Sequence, residues 1–196
     1  MGLTIFDTPV VAPVIRLLSI AILRLTGWKI RGQLPAENRF VMIAEPHTSN
    51  IDLPLMLAVA FVFRIKLHWI GKDSLFSGPQ APLMRWLGGL PINRTGGGNE
   101  VNRVADHFRG REKIALAIAP TGSRSGSQEW RTGFYWIATE AGVPVLPGFL
   151  DFKTRQTGVG DLFHTTGDVE ADISALKEFY KDMEGKYPFR KQTPRS

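Results

Sequence analysis

The sequence predicts an α/β fold: one domain, with a mixed, largely parallel sheet flanked by helices. Three observations carry that expectation. Residues 40–44 and 114–119 are continuous apolar runs, as in strands buried on both faces. Strand-like runs alternate with helical patterns along the chain. No repeat or linker interrupts the 196 residues, a length that suits one domain with a full core.

Taken in order, residues 1–9 contain no Lys or Arg, so they lack the basic start of a secretory signal. Phe6 stands where a myristoylation signal needs Ser or Thr. Residues 10–26 form the most apolar stretch. Its apolar part is about 16 residues, or roughly 24 Å of helix against about 30 Å of hydrocarbon, so a membrane-spanning helix is not expected. Two readings stay open: a core helix, or a helix lying in the membrane interface with Arg16 and Arg24 reaching the headgroups. The nearly all-round apolarity and the place before the first strand favour the second.

Residues 28–32 alternate as a short strand, and residues 40–44 follow as a buried one. Residues 53–63 read as a helix. Residues 65–71 alternate as a strand, with Lys66, His68 and Ile70 on one face and Leu67 and Trp69 on the other. Residues 83–87 form a short helix ended by Gly88 and Gly89. An extended segment follows at 90–94, then a glycine loop at 95–98. Residues 99–109 give a helix with Val101, Val104, Ala105 and Phe108 as its apolar stripe. After the strand at 114–119 come a Gly/Ser loop (120–128) and a helix (133–141) capped by Gly142. Residues 143–150 are a strand whose prolines predict an edge or a strand end. The pattern then weakens, apart from an amphipathic helix at 172–184. Residues 185–196 form a basic tail expected to be disordered.

Composition narrows the function. With 43% apolar residues and a mean hydropathy of −0.06, neither a disordered chain nor a polytopic membrane protein fits. The absence of cysteine removes disulfides, thiolate nucleophiles and cysteine-ligated zinc, and suits a reducing cytoplasm. A net charge of +6 and pI of about 9.8 point to an anionic partner.

The polar stretch between the second strand and the next helix concentrates chemistry. His47 and Asp52 are five residues apart, about 140° round a regular helix, so on a helix they would not face each other. They meet only if His47 lies in the turn and folds back over the first helical turn. Ser49 or Asn50 would cap that helix, with Pro54 in or near its first turn. A carboxylate so placed holds one imidazole nitrogen as N–H and leaves the other as a base. The spacing recurs from His68 to Asp73, within an alternating strand and without capping residues, so that copy reads as coincidence.

Two further loops follow strands: one bears Arg94, and the other is Thr121-Gly122-Ser123-Arg124. The C-terminal ends of parallel strands are where such sites form. Arginine beside glycine-exposed backbone N–H groups suits phosphate.

In order, these segments resemble the glycerolipid acyltransferase family of the 1-acylglycerol-3-phosphate acyltransferase type. Its His-x4-Asp motif is similar to Pro46-His47-Thr48-Ser49-Asn50-Ile51-Asp52. Its Gly-x-x-Phe/Ile-x-Arg motif is similar to Gly89-Leu90-Pro91-Ile92-Asn93-Arg94. Its Phe-Pro-Glu-Gly-Thr-Arg-Ser motif is matched by Ala119-Pro120-Thr121-Gly122-Ser123-Arg124-Ser125. Its Val-Pro-Ile/Val-x-Pro motif is matched by Val143-Pro144-Val145-Leu146-Pro147. Arg131 and Gly133 look like the basic residue and glycine that open the family's next helix. The third motif departs from the pattern, with Thr121 standing where the family has glutamate.

The resemblance implies acyl transfer from acyl-coenzyme A or acyl-carrier protein to the hydroxyl of a lysophospholipid or related acceptor. His47 would act as general base and Asp52 as its partner. Arg94, Thr121, Gly122, Ser123 and Arg124, helped by Lys72, would bind the acceptor. No metal or further cofactor is required. A lipid substrate puts the enzyme at the cytoplasmic face of a membrane, as a peripheral or monotopic protein. The alternative class is a non-enzymatic basic protein binding anionic membrane or nucleic acid. Nucleic acid is disfavoured because the basic residues are scattered and no aromatic-basic motif appears. A metal-dependent hydrolase lacks a second histidine at ligand spacing.

Overall fold

The computed structural model describes residues 3–92, 97–122 and 129–188. Seven strands form one sheet in the order β1 (Lys29–Arg31), β7 (Gln156–Val159), β6 (Val145–Asp151), β2 (Arg39–Glu45), β5 (Ile114–Ile118), β3 (Leu67–Lys72), β4 (Gly89–Ile92). Every pair is parallel except β6 with β7. The sheet is therefore mixed and largely parallel, as the sequence predicts.

Alternation along the central strands sends side chains to two cores. Val41, Ile43, Ile114, Leu116 and Val145 face one side, under α4 (Gly97–Ala105), α5 (Gly133–Ala141) and α6 (Val169–Tyr180). Phe40, Met42, Leu67, Trp69, Ala115 and Ala117 face the other, under α2 (Asp52–Phe63) and α3 (Ala81–Trp86). The expected stripe on α4 is seen: Val104, Ala105 and Phe108 are buried and Val101 is half-buried.

Several boundaries differ from expectation. Gly97 and Gly98, read as loop, open α4, whose last expected turn is a 3-10 segment at Asp106–Phe108. The last helix begins at Val169, because Asp168 caps it by accepting the Ala171 N–H, and it ends at Tyr180. β6 is an interior strand, not an edge. Pro147 is tolerated because its carbonyl points toward β7, where it accepts from Gly160 N at 2.8 Å, just past the end of that strand. The N–H that proline lacks would point the same way, so the ladder with β2 loses nothing. β7 itself had no strong sequence signal.

α1 (Val11–Leu25) packs on α2, burying Ser19 and Leu23. It is not a core helix: Leu17 is 66% and Leu25 87% exposed, and Val14, Leu18 and Ile22 are exposed too. Among the described residues, no helix is long and apolar enough to cross a membrane.

His68 is buried in β3, and its Nδ1 has no hydrogen-bond partner among the described residues. Burial pushes its imidazole down to about 4, and the nearby positive charges of Arg111, His107 and Lys66 act in the same direction against a hydrogen bond with the Gly88 backbone. Burial and Arg111 also lower half-buried His107. A depressed folded value means that the unfolded chain binds more protons, so this stability is fully present above the unfolded pKa and is lost as pH falls. Stability should therefore decline between about pH 6.5 and about pH 4. In His68→Leu the decline should be shallower, leaving the His107 share. Urea unfolding across that range checks this, and equal slopes in the two proteins would exclude His68 as the source.

Candidate active site

Of the polar groups singled out in the sequence, those among the described residues lie at the C-terminal ends of adjacent parallel strands. β2 leads into the turn bearing His47, β5 into Thr121 and Gly122, and β3 ends at exposed Lys72. This is where an open α/β sheet leaves room for a ligand. Arg94, Ser123 and Arg124 lie outside the described residues.

His47 stands outside the helix, in the turn before α2. Its Nδ1 lies 3.0 Å from Asp52 Oδ2. The same oxygen accepts the N–H groups of Thr48 at 2.9 Å and Ser49 at 2.8 Å. Asp52 is buried at the first position of α2, whose dipole favours a carboxylate there. Because the carboxylate accepts, Nδ1 carries the proton and Nε2 the lone pair. The imidazole retains 25% exposure, enough to meet a substrate.

The helix start differs in detail from the expected cap. Ile51 is at the N-cap without a side-chain bond, while Ser49 Oγ accepts the Ile51 N–H at 3.3 Å. The N–H groups of Thr48, Ser49 and Ile51 are thus taken by side chains, and that of Asp52 by the Ser49 carbonyl. His47 N donates to Glu45 Oε2 at 2.9 Å. Of the backbone N–H groups of residues 47–52, that of Asn50 alone has no partner among the described residues, and the buried Asp52 Oδ1 has none either.

The sequence reading passed over Glu45. It ends β2 at 4% exposure and accepts at both oxygens: His47 N at one, Thr121 Oγ1 (2.7 Å) and Thr121 N (3.3 Å) at the other. Each buried donor left without an acceptor would cost about 1–3 kcal/mol. Burial pushes the Glu45 carboxyl above the usual range, while the bonds from Thr121 and His47 act against that rise. The signal available in the sequence was a charged residue closing an otherwise apolar run.

Gly122 is left-handed (φ +68°), and a Cβ there would stand 3.4 Å from Arg131 Cδ. Arg131 N donates to the Pro120 carbonyl at 2.9 Å, which ties the third loop to the start of α5. The start of the basic tail is ordered rather than free. Phe152 N–H donates to the Glu184 carbonyl, and Tyr187 N–H to Thr48 Oγ1 at 3.2 Å. Gly185 and Tyr187 therefore lean on Thr48, in the turn that holds His47. Residues 189–196 lie outside the described residues.

Behind His47 and Asp52 a cavity of about 610 Å³ runs between α2 and the sheet. Met42, Met56, Val59, Ala60, Leu67 and Trp69 are among the apolar residues of its wall, and Glu45, His47, Asp52 and Lys72 line it as well. A volume of this size with few convergent polar groups is typical of a small-molecule site.

The crystal structure of the 1-acyl-sn-glycerophosphate (LPA) acyltransferase PlsC from Thermotoga maritima has a similar fold. The TM-score is 0.61 at 16% identity, over 90% of this chain and 81% of that one. A search of curated protein sequences finds no match. The family model described as Acyltransferase matches residues 28–150, a span that begins before β1 and runs through the His47 turn and the Thr121 loop into β6. By that match the chain belongs to the acyltransferase family.

Proposed function

We propose that this acyltransferase moves a fatty acyl group from a thioester to the free hydroxyl of a lysophospholipid or related glycerol-phosphate-like acceptor. The donor is acyl-coenzyme A or acyl-carrier protein. The observation that carries this reading is the His47–Asp52 pair set in the wall of a largely apolar cavity of about 610 Å³. The cavity suits an acyl chain, and the pair suits the hydroxyl that attacks it.

In the proposed reaction, His47 Nε2 takes the hydroxyl proton as the oxygen bonds to the thioester carbonyl carbon. The tetrahedral adduct collapses with loss of the C–S bond, and the imidazolium returns the proton to the departing sulfur. Asp52 fixes the tautomer and stabilises the imidazolium. Asn50 N–H is the turn's available donor for the developing oxyanion. Arg94 and Arg124, with Lys72, hold the acceptor's phosphate, and Thr121, Gly122 and Ser123 shape the loop around it.

The exposed face of α1 supports docking on a membrane surface, with the protein peripheral or monotopic on the cytoplasmic side. Burying about five large side chains would contribute on the order of 10 kcal/mol before costs, and basic residues add attraction to anionic lipid.

Thiol release from acyl-coenzyme A, with and without a panel of lysolipids, tests the reaction. His47→Ala should lower kcat/KM by about 10²–10⁴ while the circular dichroism stays parental; activity near the parental level would remove His47 as the base. Ala60, in the cavity wall and buried, offers a second test. Ala60→Leu should lower kcat/KM for long-chain thioesters roughly tenfold or more relative to short ones; an unchanged chain-length profile would separate the cavity from the acyl chain. Replacing Leu17, Leu18 and Ile22 together by glutamate should abolish co-sedimentation with anionic vesicles and leave the fold intact. Undiminished sedimentation would show that α1 is not the docking element.

A further inference from the structure

We propose that Glu45 is a positioning residue for the base, tying the His47 turn to the loop after β5, and that the carboxylate of the third motif has moved in this chain to the end of β2. The inference rests on the acyl-transfer reading and adds to it a residue that the motif pattern does not contain.

Three observations converge. The third motif's acidic position is Thr121, and that threonine's hydroxyl donates to Glu45 Oε1 at 2.7 Å. The other Glu45 oxygen accepts the His47 main-chain N–H at 2.9 Å. Glu45 is also buried and lines the cavity that His47 and Asp52 line. All three donors point at one side chain, and only an acceptor with two oxygens takes them at both ends.

The two positions are chemically coupled. A glutamate at 121 would set a second carboxylate against Glu45, and two carboxylates in such contact do not both ionise. Threonine at 121 instead supplies the donor that Glu45 needs. Asp52 orients the imidazole ring, and Glu45 holds the backbone from which the ring projects. The rise of the Glu45 carboxyl through burial fits a group kept out of water beside the site, with Tyr180 close enough to feel its charge.

The test uses the full-length chain in four forms besides the parent: Glu45→Ala, Glu45→Gln, Thr121→Glu, and the exchange Glu45→Ala/Thr121→Glu. With acyl-coenzyme A and the best acceptor from the lysolipid panel, Glu45→Ala should lose about 10²-fold in kcat while the KM for each substrate changes little. Glu45→Gln, which keeps one accepting oxygen, should fall between the parent and Glu45→Ala. Thr121→Glu should also be impaired, and the exchange should recover most of the activity lost in Glu45→Ala. A parental kcat in Glu45→Ala, or an exchange no better than either single variant, would overturn the proposal. Thermal unfolding of the same proteins reads the contact without any substrate. Each single variant should melt below the parent and the exchange should regain much of the loss, whereas additive losses would overturn the coupling. A parent inactive with every thioester and acceptor would instead count against the acyl-transfer reading, leaving the melting cycle to decide whether the two positions share one carboxylate.

Discussion

One oxygen atom, Asp52 Oδ2, fixes the geometry on which the site depends. It accepts from the His47 ring and from two consecutive backbone N–H groups. Those bonds convert the end of β2 into the start of α2 within a few residues and leave the imidazole outside the helix. A charge-assisted hydrogen bond contributes roughly 1.5–3 kcal/mol, and removing one partner of a buried charged cluster costs more than the bonds it made. The carboxylate therefore has two tasks that cannot be separated: it shapes the turn and it orients the imidazole. The helix dipole adds to both, because the first turn of α2 favours negative charge.

Packing on the far side of α2 follows from its sequence. Asp52–Phe63 is apolar on every face after its first residue, so the helix must be covered all round. The sheet covers one side and leaves the cavity there. α1 covers another, through Leu23 against Val59. That contact uses only one stripe of α1, so Leu17, Leu18, Ile22 and Leu25 face outward. These large apolar side chains are exposed together along one face of the helix. One segment thus carries two roles, the cover of α2 and an apolar outer face, which is why a core helix stayed open in the sequence beside the favoured interfacial one.

The sheet was legible because continuous apolar runs at β2 and β5 have few other meanings in an alternating pattern. The His47–Asp52 pair was legible because helical geometry leaves one way for the two side chains to meet. What escaped was decided by tertiary contacts. Pro144 and Pro147 marked residues 143–150 as an edge or a strand end; Pro144 does stand just before the strand, yet β6 is interior, since strand order determines which backbone groups need partners. β7 is short and glycine-containing, and it exists through its pairing with β6 and β1. His68 keeps its place in β3 as a buried strand residue, and its five-residue spacing to Asp73 carries no geometry like that of His47. The tail from Gly185 was read from charge alone, but its Tyr187 N–H finds the Thr48 hydroxyl, and Glu184 just before it bonds the Phe152 backbone. Glu45 was hidden because a carboxylate at a strand end looks like an ordinary solvated charge until Thr121 is seen beside it.

The substitution at 121 is best understood through the charges it leaves in place. Loops after parallel strands converge, so a side chain lost from one can be supplied by its neighbour. β2 and β5 are neighbours in register, with Ile43 beside Ile118, so Glu45 at the end of β2 comes beside the turn that carries Thr121. The Glu45 carboxyl then sits on the His47 side, taking donors from both loops. The third loop, which also carries Arg124 and packs Gly122 against Arg131, brings no carboxylate of its own at 121. An anionic acceptor would meet that loop with less repulsion than a glutamate there would impose. The exchange keeps the carboxylate at the junction of the two loops while changing the face it presents to the acceptor, and acceptor choice is the property that such a change would tune.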